Sequence, residues 1–195
     1  ERERERVSNG QTTATVTGLA ANTTYSVTVQ DQWECRDSVM TVTVTEPNAI
    51  TVSITPTNLL CNGTSPPDGA ASVVASGGSG NLGFLWDPAA GNQTIPNITG
   101  LAPGTYSVTV TDDSLCTASS SVTISEPSAV TATIVDTVNV SCFGGNDGNV
   151  EIDIIGGTPP FTYIFTDEFG SFVNPNSLTA GSYIVYANDS NGCSV

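Results

Sequence analysis

The chain has no histidine and no lysine, and beyond residue 6 its only base is Arg36. Without imidazole there is no ordinary general base near neutral pH and no Ser-His-Asp or Cys-His arrangement. The acidic neighbours Asp112-Asp113 and Asp167-Glu168 fall on expected turns. Glycoside hydrolysis needs two carboxyls facing across a cleft, so these read as solvated turn acids. The run Gly77-Gly78-Ser79-Gly80 has no Gly-Lys-Ser after it and no expected helix, so it reads as a turn and not as a phosphate loop. Catalysis is therefore not expected. Basic patches are missing as well. With 19 acids, 4 bases and a formal net charge of -15, the surface repels nucleic acid and anionic lipid. No apolar run approaches the roughly 20 residues needed to cross a bilayer, so no membrane insertion is expected. No leader sequence is visible. Helical periodicity is missing throughout.

What is present is turn and strand. The chain holds 19 glycines and 11 prolines, with Val, Ile, Thr, Tyr and Phe between them. That mixture predicts many short strands and an all-β fold. It also repeats. Leu19-Ala20 leads to Thr24-Tyr25-Ser26-Val27-Thr28-Val29, then Asp31, then Cys35. Leu101-Ala102-Pro103-Gly104 leads to Thr105-Tyr106-Ser107-Val108-Thr109-Val110, then Asp112, then Cys116. Leu178-Thr179-Ala180-Gly181 leads to Ser182-Tyr183-Ile184-Val185, then Asp189, then Cys193. The period is about 80 residues, and a second cysteine, Cys61 or Cys142, opens the next copy.

The expected organisation is three modules: residues 1–47, the back half of a first; 48–127, a complete second; and 128–195, a third truncated at its last strand. A longer parent protein is expected. In the second module, strands are expected at Ile50–Ile54, Ala71–Ala75, Phe84–Trp86, Gln93–Ile98, Thr105–Thr111 and Ser121–Ser125. Clean alternation, with Tyr106, Val108 and Val110 on one face, predicts antiparallel sheets packed as a sandwich. Six or seven short strands per unit fit tandem immunoglobulin-like β-sandwich modules, with a tyrosine corner at Tyr106.

Five cysteines fit one early and one late cysteine per module. The expected disulfides are Cys61–Cys116 and Cys142–Cys193, with the partner of Cys35 outside the chain. A zinc site would want close cysteine pairs or histidine, and neither occurs.

The run Cys142-Phe143-Gly144-Gly145-Asn146-Asp147-Gly148, then Gly156-Gly157-Thr158-Pro159-Pro160-Phe161, then Leu178 to Tyr183, then Asn191-Gly192-Cys193, closely resembles the SprB-type repeat. The second module resembles it too, from Cys61 through Gly77-Gly78 and Tyr106 to Glu126-Pro127. Such repeats occur in very large surface adhesins of Bacteroidetes, including gliding-motility adhesins. The resemblance covers residues 7 to 195 and implies secretion, the cell surface, and adhesion or fibre building. The opening Glu-Arg alternation, residues 1–6, departs from the pattern and looks foreign to it. As a strand it would put one charge sign on each face.

A structural stalk or fibre segment is the expected function, with neighbouring modules or identical subunits as partners. The rivals are a polysaccharide-binding adhesin module, for which Trp33, Trp86 and Phe169 are the candidate aromatics, and an accessory module of a secreted enzyme. Calcium is the one cofactor considered, at Asp112, Asp113, Glu126 and Asp147 on loops near module ends. Asn-x-Ser/Thr signals occur at Asn22, Asn62, Asn92, Asn97, Asn139 and Asn188. The triplets at Ser38, Ser114 and Thr137 resemble the O-glycosylation signal of Bacteroidetes and are candidate glycan sites.

Overall fold

A computed structural model describes residues 4–30 and 36–195, with side chains described for 6–29 and 39–195. Packing groups the chain into two units, Glu1–Ala49 with Gly77–Ser79 and Ile50–Ser76 with Gly80–Val195. The first unit carries one antiparallel sheet of β1 (Arg4–Val7), β2 (Thr23–Gln30) and β3 (Arg36–Val44), in that order. Part of the Glu-Arg alternation is thus a strand, and Val7 beyond it is buried.

The second unit begins with two three-stranded antiparallel sheets. One is β4 (Thr51–Thr57), β5 (Gly69–Ser76) and β7 (Asn97–Leu101); the other is β6 (Leu82–Trp86), β8 (Gly104–Asp112) and β9 (Thr117–Ile124). Ala71, Val73, Ile98 and Leu101 from the first sheet meet Trp86, Tyr106, Val108 and Ile124 from the second in one core. The alternation expected along β8 is realised: Tyr106, Val108 and Val110 are buried, while Thr105 and Ser107 are exposed. The fourth expected strand, Gln93–Ile98, lies further along, at β7. Pro96 has no N–H to give a ladder, so pairing starts after it. The connection before it is a 3₁₀ turn, Pro88–Ala90, capped by the Asp87 carboxylate, which accepts from the Ala90 and Ser107 N–H groups.

The rest of the unit has a two-stranded sheet, β10 (Thr131–Val138) with β11 (Asn149–Ile155), and a three-stranded sheet in which β12 (Thr162–Asp167) lies between β13 (Phe172–Val173) and β14 (Tyr183–Asn188). Its buried apolar set is thin: Val130, Phe165, Leu178 and Ala187. The far edge of β8 is filled by β9. β14 has only a single bridge there, Asn188 to Ser194.

The tyrosine corner is present in every repeat. The Tyr106 hydroxyl donates to the Ala102 carbonyl at 2.9 Å, and that of Tyr183 to the Thr179 carbonyl at 2.8 Å. The Tyr25 hydroxyl accepts the Ala20 N–H at 2.8 Å. Each bond spans the turn that leads into the next strand, β2, β8 or β14. Tyr106→Phe keeps the ring in the core and strands the Ala102 carbonyl, a loss of about 1 kcal/mol. Urea melts should show a lower midpoint at unchanged slope; an unmoved midpoint would deny the corner a stabilising role.

Candidate functional site: the junction of the second and third repeats

Strand direction decides where the cysteines lie. The Leu59 N–H donates to the Ser125 carbonyl and the Ser125 N–H to the Asn58 side chain, each at 3.0 Å, so β4 and β9 finish side by side. Cys61 follows the end of β4. Cys116 precedes the start of β9, an eight-residue strand away. At about 3.3 Å per residue that is roughly 27 Å, against the roughly 4–7 Å between Cα atoms that a disulfide tolerates. The third repeat has the same layout. Cys142 lies at the end marked by the Gly148–Leu178 bridge, and β14 carries the chain away from that end to Cys193.

The expected pairs Cys61–Cys116 and Cys142–Cys193 are therefore corrected. The structure bonds Cys61 to Cys193, with Cα atoms 5.5 Å apart and 132 residues between them in sequence. Cys116 and Cys142 are free and exposed. Cys35 lies outside the described residues. The repeat phase identifies an early and a late cysteine position, but it is silent on whether the bridge lies inside a repeat or across a junction.

Around the bridge the two repeats exchange hydrogen bonds. The Asn191 amide donates to the Leu60 carbonyl at 3.1 Å. On the connecting segment, the Glu126 carboxylate accepts the Gly63 N–H at 2.9 Å and the Pro127 carbonyl accepts the Asn62 amide at 3.2 Å. The Gly157 N–H donates to the Ser128 carbonyl at 2.8 Å. Gly157 has φ +57°, and a Cβ there would meet Val130 and Asp189, so this close approach of loop to linker requires glycine.

Asp189 shapes the turn that presents Cys193. One carboxylate oxygen accepts the Asn191 and Cys193 N–H groups and the other accepts that of Thr158, all at 2.9 Å. Burial pushes this carboxyl up, but the N–H groups of Thr158, Cys193, Asn191 and Gly192 outweigh it and hold it below the ordinary 3.8. A depressed folded value stabilises fully above the unfolded value and fades as pH falls through the folded one. Asp189→Asn should flatten the acid limb of the stability curve below about pH 4. An acid limb identical to the parent's would contradict this role. Sequence reading missed Asp189 and its counterpart Asp112 as turn organisers. The signal was available, since an aspartate precedes the late cysteine by four residues in every copy.

The remaining candidates are dispersed. Asp112 accepts the Ser114 and Cys116 N–H groups, Asp113 that of Asn81, and Asp147 that of Ser141. Together with Glu126 at the junction, each of the four acids considered for calcium thus accepts a loop N–H. Among the described residues no group of three or more His, Cys, Asp or Glu is placed to hold a metal ion. Asp167 likewise organises a turn, accepting from Phe169 and Ser171. Of the candidate aromatics, Trp86 is 1 % exposed in the core, Phe169 is exposed, and Trp33 lies outside the described residues. Ser114 and Thr137 are exposed; the side chain of Ser38 lies outside the described set. Among the described residues no helix is long and apolar enough to cross a membrane.

No curated protein matches the chain. The SprB repeat family matches it twice, and each match starts inside the first strand of a repeat, β4 or β10. SprB repeats form an adhesin repeat family of cell-surface proteins. The matched residues, 53–91 and 134–167, are similar to the SprB repeat.

Proposed function

We propose that the chain is a stalk or fibre segment of a secreted surface adhesin or extracellular filament, whose work is reach and stiffness rather than chemistry. The Cys61–Cys193 bridge carries this reading. It joins consecutive repeats at the same junction that the chain itself crosses, so the two are tied at two points. A linker of Glu126-Pro127 and a few further residues, hydrogen-bonded to Asn62 and Gly63, leaves little freedom between them. A bridge across a junction resists bending and pulling, which a stalk must withstand. The immunoglobulin-like description of each repeat belongs to the same reading, supported by the buried Trp86 and the Tyr106 corner. Polysaccharide binding through Trp86 is disfavoured, since its ring fills the core and its Nε1 donates to the Ile95 carbonyl. The partners in this reading are neighbouring repeats.

Negative-stain imaging of native material tests the proposal. Strands of about eight residues plus loops should advance the object by roughly 35–45 Å per repeat. A thin beaded fibre at that spacing is expected; a compact particle would reject the stalk.

A further inference from the structure

We propose that the side of the third repeat between β11 and β12 is a groove that binds an uncharged sugar unit of a polysaccharide. Tyr163 supplies the stacking face, and Glu151 with the Asn149 amide meets the hydroxyls. This goes beyond the stalk reading and does not depend on how the repeats are joined.

The second repeat has the same side closed. There β7 lies along β5, with Ala71 opposite Ile98, and the Val73 N–H donates to the Pro96 carbonyl at 3.0 Å. The Trp86 Nε1 holds the connecting segment down through the Ile95 carbonyl, and Ile98 is buried. Counted from Gly77-Gly78 and Gly156-Gly157, Phe165 stands where Trp86 does and Tyr163 where Phe84 does. A phenylalanine ring has no N–H with which to hold the segment. The third repeat uses the segment instead for a turn, in which the Asp167 N–H donates to the Ser171 carbonyl at 3.0 Å, and for β13 beside β12. Its backbone returns to β11 at Pro175, whose carbonyl accepts the Val150 N–H at 3.3 Å.

The result is a recess of about 410 Å³, within the size range of small-molecule sites. Its lining falls wholly within residues 149–176. Ile152, Phe165 and Pro175 give it an apolar part. Tyr163 stands on the core-facing side of β12 and is nevertheless 53 % exposed; the Phe165 ring meets it edge-on, with centroids 6.0 Å apart and planes at 86°. An aromatic ring held this way in a recess is a platform for the C–H face of a sugar. The Asn149 amide donates to the Asn176 side-chain carbonyl at 3.0 Å, which leaves the second Asn149 N–H for a ligand. The exposed Glu151 carboxylate adds an acceptor.

A ring for stacking, amide donors and a carboxylate acceptor, with no base among them, fit a neutral ligand rich in hydroxyls. The formal net charge of -15 turns anionic chains away. An extended peptide fits less well. It would pair along the β11 edge, and Pro175 already occupies that edge at Val150, leaving only residues 152–155.

The oxidised chain, applied to an array of cello-, chito-, manno- and galacto-oligosaccharides, tests the groove. Polygalacturonate serves as the anionic control and alternating Lys-Val octapeptides as the peptide control. Binding is expected to at least one neutral series and to neither control. Tyr163→Ala should weaken it about tenfold, whereas Tyr163→Phe, which keeps the ring, should not. Because Tyr163 also touches Phe165, Glu151→Ala is the second variant: Glu151 is exposed, so the fold stands, and binding should again fall about tenfold. Phe169→Ala removes an exposed ring outside the recess and should change nothing. No binding to any neutral series, binding to a control alone, or a sugar affinity unmoved by both Tyr163→Ala and Glu151→Ala would overturn the groove. A beaded fibre that binds no sugar would defeat the groove alone, whereas a compact particle that binds sugar would defeat the stalk alone.

Discussion

Trp86→Ala should destabilise the second repeat by about 3–5 kcal/mol, enough to unfold it in a substantial fraction of molecules. The side chain is 1 % exposed at the end of β6, between the two sheets. Its Nε1 donates to the Ile95 carbonyl at 3.0 Å, so truncation leaves a cavity and also strips that carbonyl of a partner. For a repeat of about 80 residues that melts as its own unit, each kcal/mol should move the melting temperature by roughly 4–8 °C. Trp86→Phe separates the two losses: it fills much of the cavity but makes no bond to Ile95, and should fall between parent and alanine variant. A melt within about 0.5 kcal/mol of the parent for Trp86→Ala would mean that the ring is not at the centre of this core.

Loss of the Cys61–Cys193 bridge should rival that in size and differ in where it is felt. Chain-entropy reasoning gives about 4–5 kcal/mol for closing a loop of this length; the cysteines are 132 residues apart. Among the described residues the third repeat buries fewer apolar side chains than the second, so it depends more on the bridge. In calorimetry, the double variant Cys61→Ser/Cys193→Ser should show the third repeat melting well below the second. The second, centred on Trp86, should move less. Superimposable traces for parent and variant would show that the bridge does not hold the junction.

The alternation of small and β-branched residues made the strands readable before any coordinates. Along β8, Tyr106, Val108 and Val110 face inward as the period of two required. The corner at Tyr106 was readable too, whereas those at Tyr25 and Tyr183, which follow matching Leu-Ala and Leu-Thr turns, were not drawn from the repetition. Pro96 carried the correction to β7 in its own chemistry, a missing donor that delays pairing. The bridge was legible only in part. Spacing told that Cys61 and Cys193 hold equivalent roles to Cys142 and Cys116, but which ends meet depends on strand direction. β4 and β9 run side by side with their ends together, a three-dimensional relation that no local pattern records. Asp112 was read as a solvated turn acid or a calcium ligand, and Asp189 only as part of the repeat pattern. Their burial, and the N–H groups they accept, appear only once the turn is closed.

The claim on which the stalk reading rests is that the repeats are joined end to end by cysteine, and disulfide mapping of the oxidised chain addresses it directly. Digestion without reduction should yield one cross-linked species containing the Cys61 and Cys193 peptides, separable by reductant. A Cys61–Cys116 or Cys142–Cys193 peptide in its place would put the bridges inside the repeats and contradict the junction described above.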